Sequence, residues 1–250
     1  MKKLLTLALA IASLTLMTAP ARAQYATGDL MMGFETGNGM DVLLDLGSAQ
    51  TYVTATAPFS INIGNLNSAL ITAFGASPGT NANIFTAVFG NLNRVADGGP
   101  GNDPSNTLYS SQPHVKALSG SSQSSISTAM SSVESEYNNE FMGGLAIVQD
   151  STQMPNTYFS KVVGGKVFSN YITEAQFSLN NLTLDRVFST TNGGGATQNL
   201  GTFNFAFDGS GNVTGATFLP VPEPSTYALG LLGIGIVAVL AKRRASARTV

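Results

Sequence analysis

Apolar residues that alternate on either side of glycine-rich turns constrain this chain more than any other feature. Leu30, Met32 and Phe34 alternate with Asp29, Met31 and Gly33. After Glu35-Thr36-Gly37-Asn38-Gly39, the run Met40, Val42, Leu44 and Leu46 alternates again. Successive side chains of a strand point to opposite faces, so this spacing predicts two strands folded together by a tight turn. The pattern recurs at Phe203–Phe207 and Val213–Phe218, separated by Asp208-Gly209-Ser210-Gly211-Asn212. Lys161-Val162-Val163 and Lys166-Val167-Phe168 flank Gly164-Gly165 and read as a further hairpin, because both glycines accept positive φ. Leu182–Phe188 supplies another strand.

Two stretches change period. Leu66, Leu70, Ile71 and Phe74 have helical spacing, with Asn65 placed as N-cap and Gly75 as C-cap. Ile126, Ala129, Met130, Val133, Tyr137 and Phe141 form a longer helical stripe, preceded by a Ser119–Ser125 loop. Asp97–Pro104 and Asn192–Gly195 read as loops. The expected fold is mainly β: an antiparallel sandwich-like body with two or three short helices. Roughly 195 residues suffice to bury such a core without disulfides.

Composition closes off much chemistry. Only 10% of residues are charged, there is no Cys, and His114 is the single imidazole. Thiol nucleophiles, disulfides and multi-histidine metal centres are therefore excluded within one chain. The charges are also segregated. Residues 24–219 hold thirteen acids and five bases, a net −8 concealed within an overall −2. A body of that sign lacks the basic footprint of a nucleic-acid binder.

The bases gather at the ends. Lys2 and Lys3 precede an apolar run from Leu4 to Met17, and Ala21-Arg22-Ala23 stands before Gln24. A positive start, an apolar run of this length and a small-x-small site predict a signal peptide over 1–23, cut after Ala23 with Ala21 and Ala23 as the recognition pair. At the other end, Pro222-Glu223-Pro224 leads into an uncharged stretch from Ala228 to Ala241, followed by Lys242, Arg243 and Arg244. The prolines hold the lead-in extended. The apolar stretch predicts a single transmembrane helix at about 226–241, short for its class. Lys242, Arg243 and Arg244 then keep residues 242–250 cytoplasmic.

This tail resembles the PEP-CTERM sorting signal of bacterial exported proteins over Val221 to about Arg244. The resemblance implies recognition by an exosortase, a membrane-embedded cysteine protease or transpeptidase, near Pro222, Glu223 and Pro224. It also implies delivery to the cell surface or extracellular polymer. Gly28–Phe34 followed by Asp41–Gly47 is similar to the start of many exported PEP-CTERM proteins of unassigned function. That similarity brings no activity with it.

Candidate chemistry in the body is sparse. His114 follows Pro113 in a polar loop. Asp41 and Asp45 share a strand face, but four residues at about 3.3 Å rise put them about 13 Å apart. Glycosidase acids stand roughly 5 to 9.5 Å apart, so these two do not form such a pair. Glu136 and Glu140 lie one helical turn apart on a solvated face. Asp208–Asn212 spaces oxygen ligands like a calcium loop, yet Val213 stands where the turn glycine belongs, and a hairpin turn explains it more simply. Asp97–Asp103 is a similar candidate.

The expectation is therefore a non-enzymatic exported protein in three parts: signal peptide 1–23, strand-rich extracytoplasmic body 24–219 and sorting tail 220–250. Its partners are the general secretion machinery, an exosortase-like processing enzyme and the membrane, with no cofactor or metal. It is anchored on the extracytoplasmic side of the inner membrane, then reaches the cell surface or matrix after processing. The alternative is a carbohydrate-binding or carbohydrate-active module acting on extracellular polysaccharide.

Overall fold

The structure, a computed structural model, describes residues 28–92, 103–104, 106–111, 120–140, 145–150, 152, 154–162, 172, 174–188 and 197–221. The two alternating runs form β1 (Asp29–Glu35) and β2 (Met40–Ser48). They pair antiparallel, with Phe34 opposite Val42, Met32 opposite Leu44 and Glu35 opposite Asp41. Gly37 and Gly39 make the turn at φ of 77° and 84°, which a side chain would resist. The second expected hairpin is β9 (Thr197–Phe207) with β10 (Val213–Pro220), where Phe203 faces Phe218. The Leu182–Phe188 strand is β8 (Leu182–Val187).

Shorter strands complete the sheet: β3 (Phe59–Ile61), β4 (Phe85–Asn91), β5 (Leu108–Ser110), β6 (Ala146–Asp150) and β7 (Ala175–Gln176). Their order is β3-β10-β9-β8-β5-β4-β1-β2-β6, with β7 beside β4, and every pairing is antiparallel. This is one curled sheet rather than the two packed sheets of a sandwich. The curl does the work of a second sheet. Phe34, Val42, Leu44 and Val88 from one half share a core with Leu182, Phe203, Phe205 and Phe218 from the other.

Four helices accompany the sheet: α1 (Ala49–Val53), α2 (Leu66–Phe74), α3 (Gly120–Glu140) and α4 (Tyr158–Val162). The α2 bounds are those expected, and Gly75 ends it at φ 89° with its N–H on the Ile71 carbonyl. Asn65, however, makes no side-chain cap. Its amide donates to the Ala146 carbonyl at 2.8 Å and accepts the Ala146 N–H at 2.9 Å. It therefore acts as a strand neighbour for edge strand β6, satisfying backbone groups that an open edge would leave unpaired.

Two further expectations need correction. Residues 120–125, within the expected loop, are the first turns of α3, which runs for 21 residues instead of being short. Hydroxyls along the helix bond back to its preceding turn, as Thr128 does to the Ser124 carbonyl and Ser132 to that of Thr128. Lys161 and Val162 belong to α4, not to a strand, and 163–168 lie outside the described residues. Tertiary contacts explain the helix: Thr157 Oγ1 accepts the Ser160 N–H, and Asp41 Oδ2 accepts the Phe159 N–H at 2.7 Å.

α3 and α4 cover the outer face of the sheet. Ile126, Met130, Val133, Tyr137 and Tyr158 pack there against Met31, Leu43, Ala87 and Phe89. Every residue of β1 is consequently buried. Tyr158 stacks on Phe89 with ring centroids 5.7 Å apart, and its own ring lies on Gly33. A Cβ on Gly33 would stand 2.5 Å from that ring. Gly33→Ala is thus expected to destabilise the protein by roughly 1–3 kcal/mol through overpacking. Urea unfolding should show a lower midpoint with an unchanged slope.

Candidate functional site

The sequence-derived site residues Ala21, Ala23, His114, Pro222, Glu223, Pro224, Lys242, Arg243 and Arg244 lie outside the described residues. Among the described residues, no helix is long and apolar enough to cross a membrane. The last described residues belong to the sheet and its continuation. Pro220 of β10 pairs with Gly201, and the Val221 N–H donates to the Leu200 carbonyl at 2.9 Å. The folded sheet therefore reaches the residue directly before Pro222.

A groove of about 350 Å³ opens on the body where the two ends of the curled sheet approach each other. One wall is Asp45, Leu46 and Gly47 of β2 with Leu145, and the other is Phe59, Ser60 and Ile61 of β3 with Asn62; Thr51 and Tyr52 of α1 contribute from beside them. A bulge at Leu46 interrupts the β1–β2 register at this point. Asp45 Oδ1 accepts the Gly47 N–H at 2.8 Å. Burial pushes the Asp45 carboxyl up, opposed by that N–H and reinforced by the charge of Asp29. Tyr52 is pinned by a hydrogen bond from its hydroxyl to the Leu46 carbonyl at 3.0 Å. Its ring contacts Phe59 at 5.4 Å and Phe218 at 5.0 Å between centroids, so the aromatic wall is held by the core.

A second polar feature lies under α4. Register places Glu35, Asp41 and Gln149 in one row across β1, β2 and β6, beneath Tyr158. All three are buried. Asp41 Oδ1 and both amide atoms of Gln149 lack hydrogen-bond partners. Burial raises the Asp41 carboxyl to about 7, against the N–H of Phe159 and with the Glu35 charge adding to the rise. Glu174 accepts the Tyr158 hydroxyl at 2.7 Å, and burial lifts it to about 7 as well, again with a contribution from Glu35. Burial likewise raises Glu35, opposed by the Gly37 N–H. Like charges crowded away from water keep carboxyls protonated.

Asp41 and Asp45 therefore serve separate places, as their spacing implies: one holds α4, the other lines the groove. Of the calcium candidates, residues 97–102 lie outside the described residues, while Asp103 and Asp208 make internal bonds. Asp103 forms a buried ion pair with Arg186 and accepts the Tyr109 hydroxyl at 2.6 Å. Asp208 accepts the N–H groups of Ser210 and Asn212 and the Asn212 side-chain amide, each at 2.8 Å, which is the hairpin-turn reading. No grouping of three acids or histidines suited to a metal ion occurs among the described residues. Glu136 accepts a hydrogen bond from Asn156 at 3.4 Å.

The buried carboxyls set a pH dependence. Between the ordinary carboxylate range and about pH 7, the unfolded chain has released protons that folded Asp41 and Glu174 still hold. Their contribution is thus full below about pH 4 and is lost as pH rises towards 7, at roughly 1.4 kcal/mol per pH unit for each proton retained. Unfolding free energy from denaturant titration is expected to fall between pH 5 and pH 7. Asp41→Asn should make that fall shallower; an unchanged slope contradicts the assignment. Arg186→Met should cost about 3–5 kcal/mol in the same measurement by stranding the Asp103 charge.

The PEP-CTERM protein-sorting motif model matches residues 220–244. No curated protein and no solved structure matches the chain. The matched stretch starts at the last residue of β10 and contains Pro222, Glu223, Pro224, Lys242, Arg243 and Arg244. The order of motif, apolar stretch and basic cluster read from the residues is therefore that of a known signal. This chain carries a PEP-CTERM protein-sorting motif in its tail.

Proposed function

We propose that this is a non-enzymatic exported protein whose strand-rich body is displayed at the cell envelope or in the extracellular matrix. The observation that carries the reading is the sorting motif at residues 220–244. An exosortase-like enzyme acts near Pro222, Glu223 and Pro224. The apolar stretch at about 226–241 holds the precursor in the inner membrane, and Lys242, Arg243 and Arg244 orient it. The general secretion machinery removes residues 1–23 after Ala23. The absence of catalysis is supported by the inaccessibility of the one pair of acids that, among the described residues, stands side by side in the sheet register, Glu35 and Asp41.

Mass spectrometry of terminal peptides tests the scheme. The exported form should begin at Gln24, and cells with the processing enzyme should lack peptides from the far end of the tail. Cells without it should retain a chain ending at Val250. The same intact tail in both strains, or a retained Met1, defeats the proposal. Replacing Pro222, Glu223 and Pro224 together by Ala should hold the precursor at full length.

A further inference from the structure

The groove between the ends of the sheet is not used by the sorting scheme, and its chemistry is selective. We propose that it binds a neutral pyranose unit of a polysaccharide, with Asp45, Ser60, Thr51 and Asn62 holding hydroxyls and Phe59 supplying the apolar wall. This assignment is independent of how the tail is processed.

Size comes first. About 350 Å³ lies at the lower end of small-molecule sites, enough for one or two sugar rings. One of its walls is the edge strand β3.

Charge decides the class of ligand. The lining contains no Lys, Arg or His, and its one ionisable acid is Asp45. Phosphate, sulfate and carboxylate ligands would meet repulsion without a compensating cation. A ligand rich in hydroxyl donors meets matching acceptors instead. Asp45 spends Oδ1 on the Gly47 N–H, which leaves Oδ2 for a ligand hydroxyl. Such a bond to a partly desolvated carboxylate is stronger than one between neutral groups.

The remaining polar groups are presented outward. Thr51, Ser60 and Asn62 are exposed, and the Asn62 oxygen steadies the next turn by accepting the Gly64 N–H at 3.1 Å, freeing its amino group to donate. Phe59 is half-buried. It leans on Tyr52 and Phe218, at 5.4 and 5.6 Å between centroids. A ring held this way offers the C–H face of a sugar a rigid apolar surface, so little side-chain entropy is lost on binding.

Isothermal titration of the full-length protein tests the proposal. The probes are cellohexaose, maltohexaose and chitohexaose, with an alginate hexamer as the acidic control and a chitosan hexamer as the amine-bearing one. Saturable binding of at least one neutral oligosaccharide is expected, with no preference for the acidic probe. Asp45→Asn should weaken that binding about tenfold, and Ser60→Ala about two- to fivefold. An unchanged melting temperature shows that each variant is folded. Should Asp45→Asn fail to fold, Ser60→Ala and Thr51→Val decide, since both positions are exposed. Heat from none of the neutral probes, binding of the acidic or amine-bearing probe alone, or equal affinity in all variants overturns the proposal.

Discussion

Burial on both faces of β1, β2 and β4 is the constraint from which most of the structure follows. Leu30, Met32 and Phe34 face the core inside the curl, while Met31 and Phe89 face α3 and α4. Strands enclosed in this way give up contact with water, so each polar group among them must find an internal partner or shed its charge. Asp41 does both: it accepts the Phe159 N–H, and its carboxyl rises to about 7. Asn91 does the first, donating to the Ser127 hydroxyl at 2.8 Å and the Ser131 hydroxyl at 3.0 Å. The polar side chains of the central strands thereby become the fasteners for both covering helices.

The same enclosure explains the curl. A sheet with helices on one face must bury its other face, and the described residues include no second sheet to lay against it. It wraps instead, until Ile61 of β3 shares a core with Val42 and Leu44 of β2. Wrapping leaves two edges near each other. Asn65 closes part of the gap by pairing with the backbone of Ala146, and the unclosed part is the groove. The candidate binding site is thus a by-product of how the sheet resolves its edges, and this gives it rigid walls.

Export and architecture meet at β10. It lies between β3 and β9 and ends where the sorting motif begins. Val221, the residue before Pro222, is still hydrogen-bonded to Leu200. An enzyme acting at Pro222–Pro224 must therefore work against the folded surface around Leu219 and Val221, both of which are exposed.

The sequence by itself determined the sorting motif in the tail, the antiparallel β character, the two hairpins at 29–46 and 203–218, and the α2 helix with its terminal glycine. These are local properties: period, turn chemistry and a tail motif are written in consecutive residues. Only the tertiary structure decided the rest. Lys161 reads as strand from its neighbours, yet Asp41, more than a hundred residues away, caps the helix that holds it. Asn65 reads as a cap, yet it serves Ala146. The groove joins β2 to a three-residue strand that no periodicity can announce. Alternation states that a strand has two faces; only the packed chain decides what covers each of them.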